Sequence, residues 1–182
     1  EMMHSWFSGT MYENKNTPKL LFNADSAMHY LKLAGFTKRN SEGILINSEG
    51  IPLSFSINIP KTNAYMVTPV QNKLKQYGVD MQIVNMDGTT QWKNLQERNF
   101  TIYMHAFTGG IHPSIEHWFR SDLADVPDNN NFFGFKNERV DELIIAYKAE
   151  FDLKKRIEIG KEIDKIVAEI HPVSYGIKRL YR

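Results

Sequence analysis

The spacing of apolar residues changes several times between residues 43 and 106. Apolar and polar residues alternate from Ile51 to Ile59, a period of two that predicts a strand with one buried face. Further along, apolar residues recur every three to four positions and predict helices. The predicted elements are a hairpin over 43–60, a helix over 64–78, a strand over 79–85, a helix over 87–99 and a strand over 100–106. Strands that alternate with helices of about this length indicate α/β layering.

The two helices of this middle region differ in how clearly the sequence defines them. In the first, an internal Pro69 would remove a hydrogen bond, so we expect the helix to begin near Thr68 with the proline at its first position. Its apolar residues at helical spacing are Met66, Val70, Leu74 and Tyr77. In the second helix, which is mostly polar, Trp92 and Leu95 are the expected inward residues.

The flanking regions combine helices with turn-rich loops. A short helix over 23–36 follows an irregular stretch over 1–22, and Asn23 or Asp25 can cap it. Beyond residue 106 the predicted elements are a short helix over 113–121, a loop over 122–135, helices over 137–151 and 152–170, and the start of a strand over 173–177. Asp152 is the expected cap between the two long helices.

Composition narrows the class of protein. With 182 residues the chain suits one ordinary domain or one lobe of a larger protein, and 42% apolar residues suffice for a core. The net charge of +1 argues against a nucleic-acid-binding protein, which would carry a basic stripe. No apolar run approaches the roughly 18 residues of a membrane span. The absence of cysteine excludes disulfides and a cysteine nucleophile. Because the chain starts at Glu1 without a signal peptide, we expect a mature protein or an excised fragment.

Histidines cluster at the end of the strand predicted over 100–106. His105, His112 and His117 lie close together, and catalytic zinc sites often use three protein ligands. Their spacing is not the i, i+4 pair of a helical HExxH motif, however. Ser114 lies near two of them, but no GxSxG elbow surrounds it. Hydrogen-bonded surface or cleft histidines are therefore favoured, and a small metal-dependent or serine hydrolase that uses this cluster is the alternative.

Several other residues have a structural and a functional interpretation. Two pairs of adjacent aromatic residues suit either a ligand pocket or the core, and the core is favoured because aromatic side chains bury large areas. The pairs are Trp118 with Phe119 and Phe132 with Phe133. The asparagine run that ends at Asn131 indicates a turn, and Asp141 suits a structural contact on a helix. Gly109 and Gly110 are not a phosphate loop, since no GK[ST] follows them.

Five stretches of the sequence, taken in their order along the chain, match the motifs of one known protein family. They are ADSAMHYLKLAGF, SEGILINSEGIPLSFSI, VQNKLKQYGVDMQIVNMD, NFTIYMHAFTGGIHPS and NNNFFGFKNERVDELIIAYKAEFDLKKRIEIGKEIDKIVAE. Together they resemble the C-terminal lobe of family 5 extracellular solute-binding proteins, the oligopeptide- and dipeptide-binding components of ABC importers. The resemblance covers about residues 20–177.

The resemblance implies a fold and a domain organisation. The fold is an α/β, periplasmic-binding-protein-like lobe, with a mixed sheet flanked by helices, as a fragment of a two-lobed protein. Residues 1–22 are then an irregular N-terminal segment from the region between the lobes. Residues 23–182 are then a single α/β solute-binding lobe. The missing N-terminal lobe would supply the other half of a cleft, and closure about a hinge would trap the ligand.

The resemblance also implies a site. The strand over 100–106 and the loop after it would face the cleft, where backbone groups pair with an extended peptide. The implied ligand-binding residues are His105, Ala106, Phe107, Thr108, Gly109, Gly110 and His112. In peptide-binding members an acidic residue of this loop takes the peptide amino terminus, and that position falls at about Gly109 here. The usual tryptophan position falls at Ala106, and the loop has no carboxylate before Glu116.

The implied function is solute capture without catalysis. We expect no cofactor, no metal and no nucleic-acid partner. The expected partners are a peptide or another small solute, the membrane subunits of an ABC importer and the missing N-terminal lobe. The expected location is periplasmic or extracytoplasmic, with a lipoprotein anchor on the full-length protein left open. Besides the hydrolase, a stand-alone interaction domain without a small ligand is a third interpretation.

Overall fold

The structure, a computed structural model, describes residues 2–17, 19, 21–104, 106 and 112–176. The chain divides into two compact units. Residues 22–107 form the sheet unit, and residues 1–21 together with 108–182 form the helical unit. The stretch 23–182 therefore contributes to both units, and its assignment to one lobe of a larger protein stays a prediction.

The sheet unit combines short and long elements. Its helices are α1 (Ala24–Leu33), α2 (Ala64–Gln76) and α3 (Gly88–Gln96), and its strands are β1 (Lys38–Arg39), β2 (Leu45–Ile46), β3 (Ser54–Pro60), β4 (Asp80–Met86) and β5 (Ile102–Tyr103). β3 lies between β4 and β5 in a parallel sheet, with Ile57 opposite Ile83 of β4 and Ile102 of β5. Strands and helices alternate as the sequence predicts, and the α/β fold class is confirmed.

β3 is buried as a central strand. Ile57, Asn58 and Ile59 are consecutive and all buried, and Ile59 has no exposed surface. Strands of parallel sheets are commonly covered on both faces, so burial does not alternate along them. One face packs against Val67 of α2. Gln91 of α3 donates its side-chain N–H to the Asn58 carbonyl at 3.1 Å, which ties that helix to the strand.

The predicted start of α2 near Thr68 is wrong. The helix begins at Ala64 and contains Pro69 in its interior. A proline there deprives the carbonyl four residues earlier of its amide partner, and that carbonyl belongs to Tyr65, whose side chain is exposed. The prediction of its inward residues is wrong in part: Val67 is buried, whereas Met66 is 46% and Val70 is 49% exposed, and of the predicted positions Leu74 packs against the core.

The predicted hairpin over 43–60 is wrong in its second half. β2 pairs with β1 in antiparallel fashion, and a single bridge joins Ile46 to Pro52. The chain turns there because the Asn47 side chain accepts hydrogen bonds from the backbone N–H groups of Glu49 and Ile51. β3 then leaves to become the central parallel strand, where its three consecutive residues 57–59 are buried.

The helical unit brings together the two ends of the chain. Its helices are α4 (Glu116–Phe119), α5 (Glu138–Ala149) and α6 (Leu153–Ile170), with a 3-10 turn over Ser121–Leu123. The side chains of Asn137 and Asp152 cap α5 and α6, because each accepts a hydrogen bond from the first turn. Residues 173–176 form no strand, so that part of the predicted strand is wrong, and residue 177 lies outside the described residues.

The core of the helical unit is rich in aromatic side chains. Phe119 is fully buried and Phe132 is 8% exposed, while Trp118 and Phe133 pack against the same cluster. This confirms the core interpretation of both aromatic pairs. In the sheet unit, by contrast, the predicted inward position of Trp92 is wrong, because its side chain is 44% exposed.

Buried polar side chains organise the loops of the helical unit. Asn131, which is fully buried, donates to the carbonyls of Arg120 and Phe135 and accepts from the Phe135 N–H. The asparagine run is therefore a turn with a buried centre. Asp141 accepts a hydrogen bond from the Ser121 N–H at 2.9 Å, in agreement with its structural assignment.

One buried carboxylate holds the N-terminal segment against α6. Asp164 is fully buried, and its two carboxylate oxygens accept hydrogen bonds from the N–H groups of Phe7 and Asn14, at 3.0 and 2.9 Å. The segment itself has turns but neither helix nor strand among its described residues. Across the described part of the chain, no helix has the length and apolar character that a membrane crossing requires.

Candidate functional site

The carboxyl ends of the parallel strands define one edge of the sheet unit. From β3 the chain continues to β4 on one side, and from β4 it crosses to β5 on the other side. In open α/β sheets, ligands bind beyond the carboxyl ends of the strands at such a change of direction. The strands end at Pro60, Met86 and Tyr103, and the stretch with the predicted ligand-binding residues follows β5.

The titratable side chains at this edge include Asp87 and Tyr103. Asp87 follows β4 and caps α3, with its carboxylate accepting hydrogen bonds from the backbone N–H groups of Thr89 and Thr90. Hydrogen bonds from the Thr90 side chain and backbone hold the pKa of Asp87 below its usual value. Burial raises the pKa of the Tyr103 phenol above its usual value. The edge thus presents the hydroxyl of Tyr103 and the carboxylate of Asp87, and the carboxylate already caps α3.

Most of the predicted ligand-binding residues lie outside the described residues. These are His105, Phe107, Thr108, Gly109 and Gly110. Two predicted residues are described. Ala106 is exposed and belongs to the sheet unit, and His112 is exposed and belongs to the helical unit.

His112 is held by a tyrosine from the N-terminal segment. The Tyr12 hydroxyl lies 2.7 Å from Nδ1 of His112, and the two rings meet edge to face at 6.3 Å between centroids. Tyr12 itself has no exposed surface. The imidazole is therefore exposed on one side and anchored on the other.

The alternative hydrolase cluster lacks a catalytic arrangement among the described residues. His117 and Ser114 are both exposed, and no hydrogen bond joins them. Both carboxylate oxygens of Glu116 are occupied, one by Arg120 at 2.9 Å and one by Lys148 at 2.7 Å. Hydrogen bonds from Lys148 and Arg120 lower the pKa of Glu116. No group of three or more metal-ligating side chains occurs within the described ranges.

The role of Tyr12 was not foreseen from the sequence. Tyr12 lies in a segment without a regular period, and its partner His112 is 100 positions away. The sequence did contain one indication of a close contact on α6, because Gly160 interrupts the apolar stripe of that helix. Glycine inside a helix costs about 1 kcal/mol relative to alanine, so such a glycine usually has a packing reason. Here the reason is the Tyr12 ring, whose Cδ1 would lie 2.5 Å from a Cβ at Gly160.

The chain belongs to the bacterial extracellular solute-binding proteins, family 5. The model of the middle region of that family matches residues 2–122, which include the whole sheet unit and His112. The predicted family is thereby confirmed. The relatives described below are named as binding proteins.

Individual relatives agree with the family. A probable ABC transporter-binding protein of Deinococcus radiodurans is 27% identical over 175 residues, which cover 85% of this chain and 29% of that protein. The oligopeptide-binding protein AppA of Bacillus subtilis, solved with a nonapeptide, superposes with a TM-score of 0.83 at 21% identity, over 96% of this chain and 36% of that one.

An oligopeptide-binding protein of Thermus thermophilus, solved with a pentapeptide, has a TM-score of 0.81 at 18% identity, over 96% of this chain and 33% of that one. At these identities the two solved structures establish the fold alone. The chain spans about a third of the length of the relatives it matches.

Proposed function

We propose that this chain forms part of the substrate-binding component of an ABC importer and captures peptides without chemical change. The observation that carries the proposal is the family match over residues 2–122, which contains the parallel sheet and the segment after β5. Peptides are the ligands of the two oligopeptide-binding proteins whose fold it shares. The membrane subunits of the importer and a second lobe are the partners, and the location is periplasmic or extracytoplasmic.

The peptide meets the segment from His105 to His112. β5 is an edge strand of the described sheet, because it pairs with β3 on one side only. An edge strand presents unpaired backbone groups, to which an extended peptide can add as a further strand. Glycines at 109 and 110 allow the backbone to come close to a ligand, since they carry no Cβ. Ala106, three residues beyond the end of β5, is exposed and has a small side chain, which leaves room for a ligand.

Ligand capture explains the site residues better than hydrolysis does. The carboxylate of Glu116 is paired with two cations, and the exposed Ser114 has no general base bonded to it among the described residues. A serine hydrolase requires a nucleophile, a base and an orienting acid in mutual contact. The polar groups at the site are hydrogen-bonding groups suited to recognition.

The experiment is a binding measurement on the full-length protein after unfolding, dialysis and refolding to remove retained solutes. Titration calorimetry with random pentapeptides should detect binding, and mass spectrometry of the solutes that co-purify with untreated protein should find peptides. Ala106→Lys should weaken binding at least tenfold, because a long charged side chain fills the space at the strand end. The matched control is Ala146→Lys, at an exposed position of α5. Turnover of generic esters with no bound peptide would contradict the proposal.

A further inference from the structure

The exposed imidazole of His112 is unusually well anchored for a surface side chain. Its Nδ1 lies 2.7 Å from the hydroxyl of Tyr12, a residue with no exposed surface. Tyr12 in turn packs against Phe7 and Tyr147, at centroid distances of 6.2 and 5.8 Å. The N-terminal segment thus supplies a fixed support for one particular ring nitrogen.

The protein has made room for this support. A Cβ at Gly160 would lie 2.5 Å from Cδ1 of Tyr12, a distance that real Cβ contacts essentially never show. The Tyr12 ring therefore rests directly on the backbone of α6. The backbone N–H of Tyr12 donates to the Thr10 side chain at 3.1 Å, which fixes the residue from its other end.

The surroundings of Tyr12 determine which partner donates in the hydrogen bond to His112. A phenol can donate and accept, and a neutral imidazole carries its proton on one of its two nitrogens. Burial raises the pKa of the neighbouring Tyr147 phenol, and the interaction of that phenol with the Tyr12 hydroxyl raises it further. The lone pair of an imidazole nitrogen is a stronger acceptor than a phenol oxygen, and a phenol is a good donor. The 2.7 Å contact is therefore more favourable with the Tyr12 hydroxyl donating to Nδ1 than with Nδ1–H donating to the phenol oxygen.

We infer that Tyr12 donates to Nδ1 of His112 and so holds the neutral imidazole with its proton on Nε2. Nε2 lies on the side of the ring away from Tyr12 and is then a hydrogen-bond donor presented to the ligand. Tyr12 acts through His112, as a positioning residue. This inference rests on the proposed function, and it specifies the ligand group that His112 recognises as an acceptor, either a peptide carbonyl or a terminal carboxylate.

The sequence of the segment points to the same ligand chemistry. No acidic residue occurs between Ala106 and Ile115, and the next carboxylate, Glu116, is already paired with Arg120 and Lys148. A free ammonium group of a ligand therefore finds no available carboxylate in this segment. A donor at His112 selects peptides by their oxygen atoms, and it does not require a free amino terminus.

The first test needs no ligand. In protein labelled with nitrogen-15 at histidine, two-bond nitrogen–proton correlations at a pH where the ring is neutral report which ring nitrogen carries the proton. His112 should be in the Nε2–H form, and Tyr12→Phe should shift the population toward the Nδ1–H form. A dominant Nδ1–H form in the wild-type protein would overturn the inference.

The second test uses the tightest-binding member of a random pentapeptide pool. His112→Ala should raise its Kd about three- to tenfold, the range for one lost hydrogen bond. Tyr12→Phe should raise Kd about two- to fivefold, and should have no further effect when His112 is already alanine. The controls are His29→Ala and Tyr30→Phe, an exposed pair on α1, which should leave Kd unchanged.

Modified peptides distinguish the two candidate acceptors of the His112 hydrogen bond, a terminal carboxylate and a peptide carbonyl. N-acetylation should change Kd less than threefold. Loss of affinity on C-terminal amidation identifies the terminal carboxylate as the acceptor, whereas unchanged affinity identifies a backbone carbonyl. If N-acetylation abolishes binding while His112→Ala has no effect, peptide binding stands and this inference fails. If the wild-type protein binds no peptide, the proposed function fails, and the tautomer measurement still tests the role of Tyr12.

Discussion

The two units of this protein achieve their stability in different ways. The sheet unit is one continuous stretch of chain, and its core joins neighbouring elements through apolar side chains such as Ile57, Ile59 and Met81. The helical unit is assembled from two separate stretches of the chain, which are joined by buried polar contacts such as those of Asp164 as well as by an apolar core. The apolar pattern along the chain therefore accounts for more of the first unit, whereas the second also needs specific contacts between residues far apart in sequence.

Truncation at the centre of the sheet should have the largest effect on stability. Ile59→Ala removes a fully buried side chain from β3 and should lower the free energy of unfolding by about 4 kcal/mol, through lost burial and the cavity left behind. Urea denaturation measures the change. The control is Val84→Ala on β4, where the side chain is 39% exposed and the loss should be under about 1 kcal/mol. Equal losses for the two variants would remove the distinction between centre and edge.

Removal of the buried carboxylate should affect the other unit. Asp164→Ala leaves the N–H groups of Phe7 and Asn14 without their acceptor, and should cost about 3 kcal/mol. Hydrogen exchange should accelerate in the helical unit and not in β3. Lys165→Ala, next along α6 and exposed, is the control and should stay within about 0.5 kcal/mol. Faster exchange throughout the sheet unit would contradict the division of roles.

A single methyl group should test how closely Tyr12 packs on α6. Gly160→Ala gains helix propensity, but its Cβ meets the Tyr12 ring at 2.5 Å, so we expect a net loss of about 2 kcal/mol. Gly88→Ala in α3 is the matched control, because a Cβ there meets nothing within 4 Å. Thermal unfolding should show a lower melting temperature for the first variant only. A stabilised Gly160→Ala protein would mean that Tyr12 moves aside easily.

The ion pairs of Glu116 should contribute the smallest effect. Hydrogen bonds from Lys148 and Arg120 lower the pKa of the Glu116 carboxyl in the folded protein. The carboxylate therefore stabilises the folded state at a pH above the unfolded-state pKa, and this stabilisation is lost as the pH falls through the lowered folded-state pKa. Glu116→Gln should reduce the change in the free energy of unfolding over the acidic range by under about 1 kcal/mol, because the ion pairs are partly exposed. Urea denaturation across the acidic range measures it, and an unchanged pH profile would show that the pairs contribute nothing.

Much of the sheet unit was predicted correctly from the sequence, and the prediction failed at particular residues. From β3 to β5 the order of strands and helices followed from the apolar period, whereas β1 was not predicted. The orientation of α2 did not, because the tolerance of Pro69 inside the helix depends on an exposed preceding turn. Trp92 was misplaced because Gln91, a polar residue, takes the inward position by bonding to the backbone of β3.

The helical unit shows the opposite balance. Its two long helices and the cap of α6 at Asp152 were predicted from local sequence, whereas the cap of α5 at Asn137 was not. The contacts of Tyr12 and Asp164 were not, since each joins residues 100 or more positions apart and no local pattern encodes such a pairing. Of the candidate site, motif order defined the segment, and only the structure revealed the support beneath His112.

Hydrogen exchange of the full-length protein, with and without random pentapeptides, tests the central claim most directly. The claim is that the segment from His105 to His112 contacts a captured peptide. Backbone amides of residues 101–117 should exchange more slowly when the pentapeptides are present, while amide exchange in the exposed helix α1 should be unchanged. Unchanged exchange in that segment, under conditions in which calorimetry detects binding, would contradict the account.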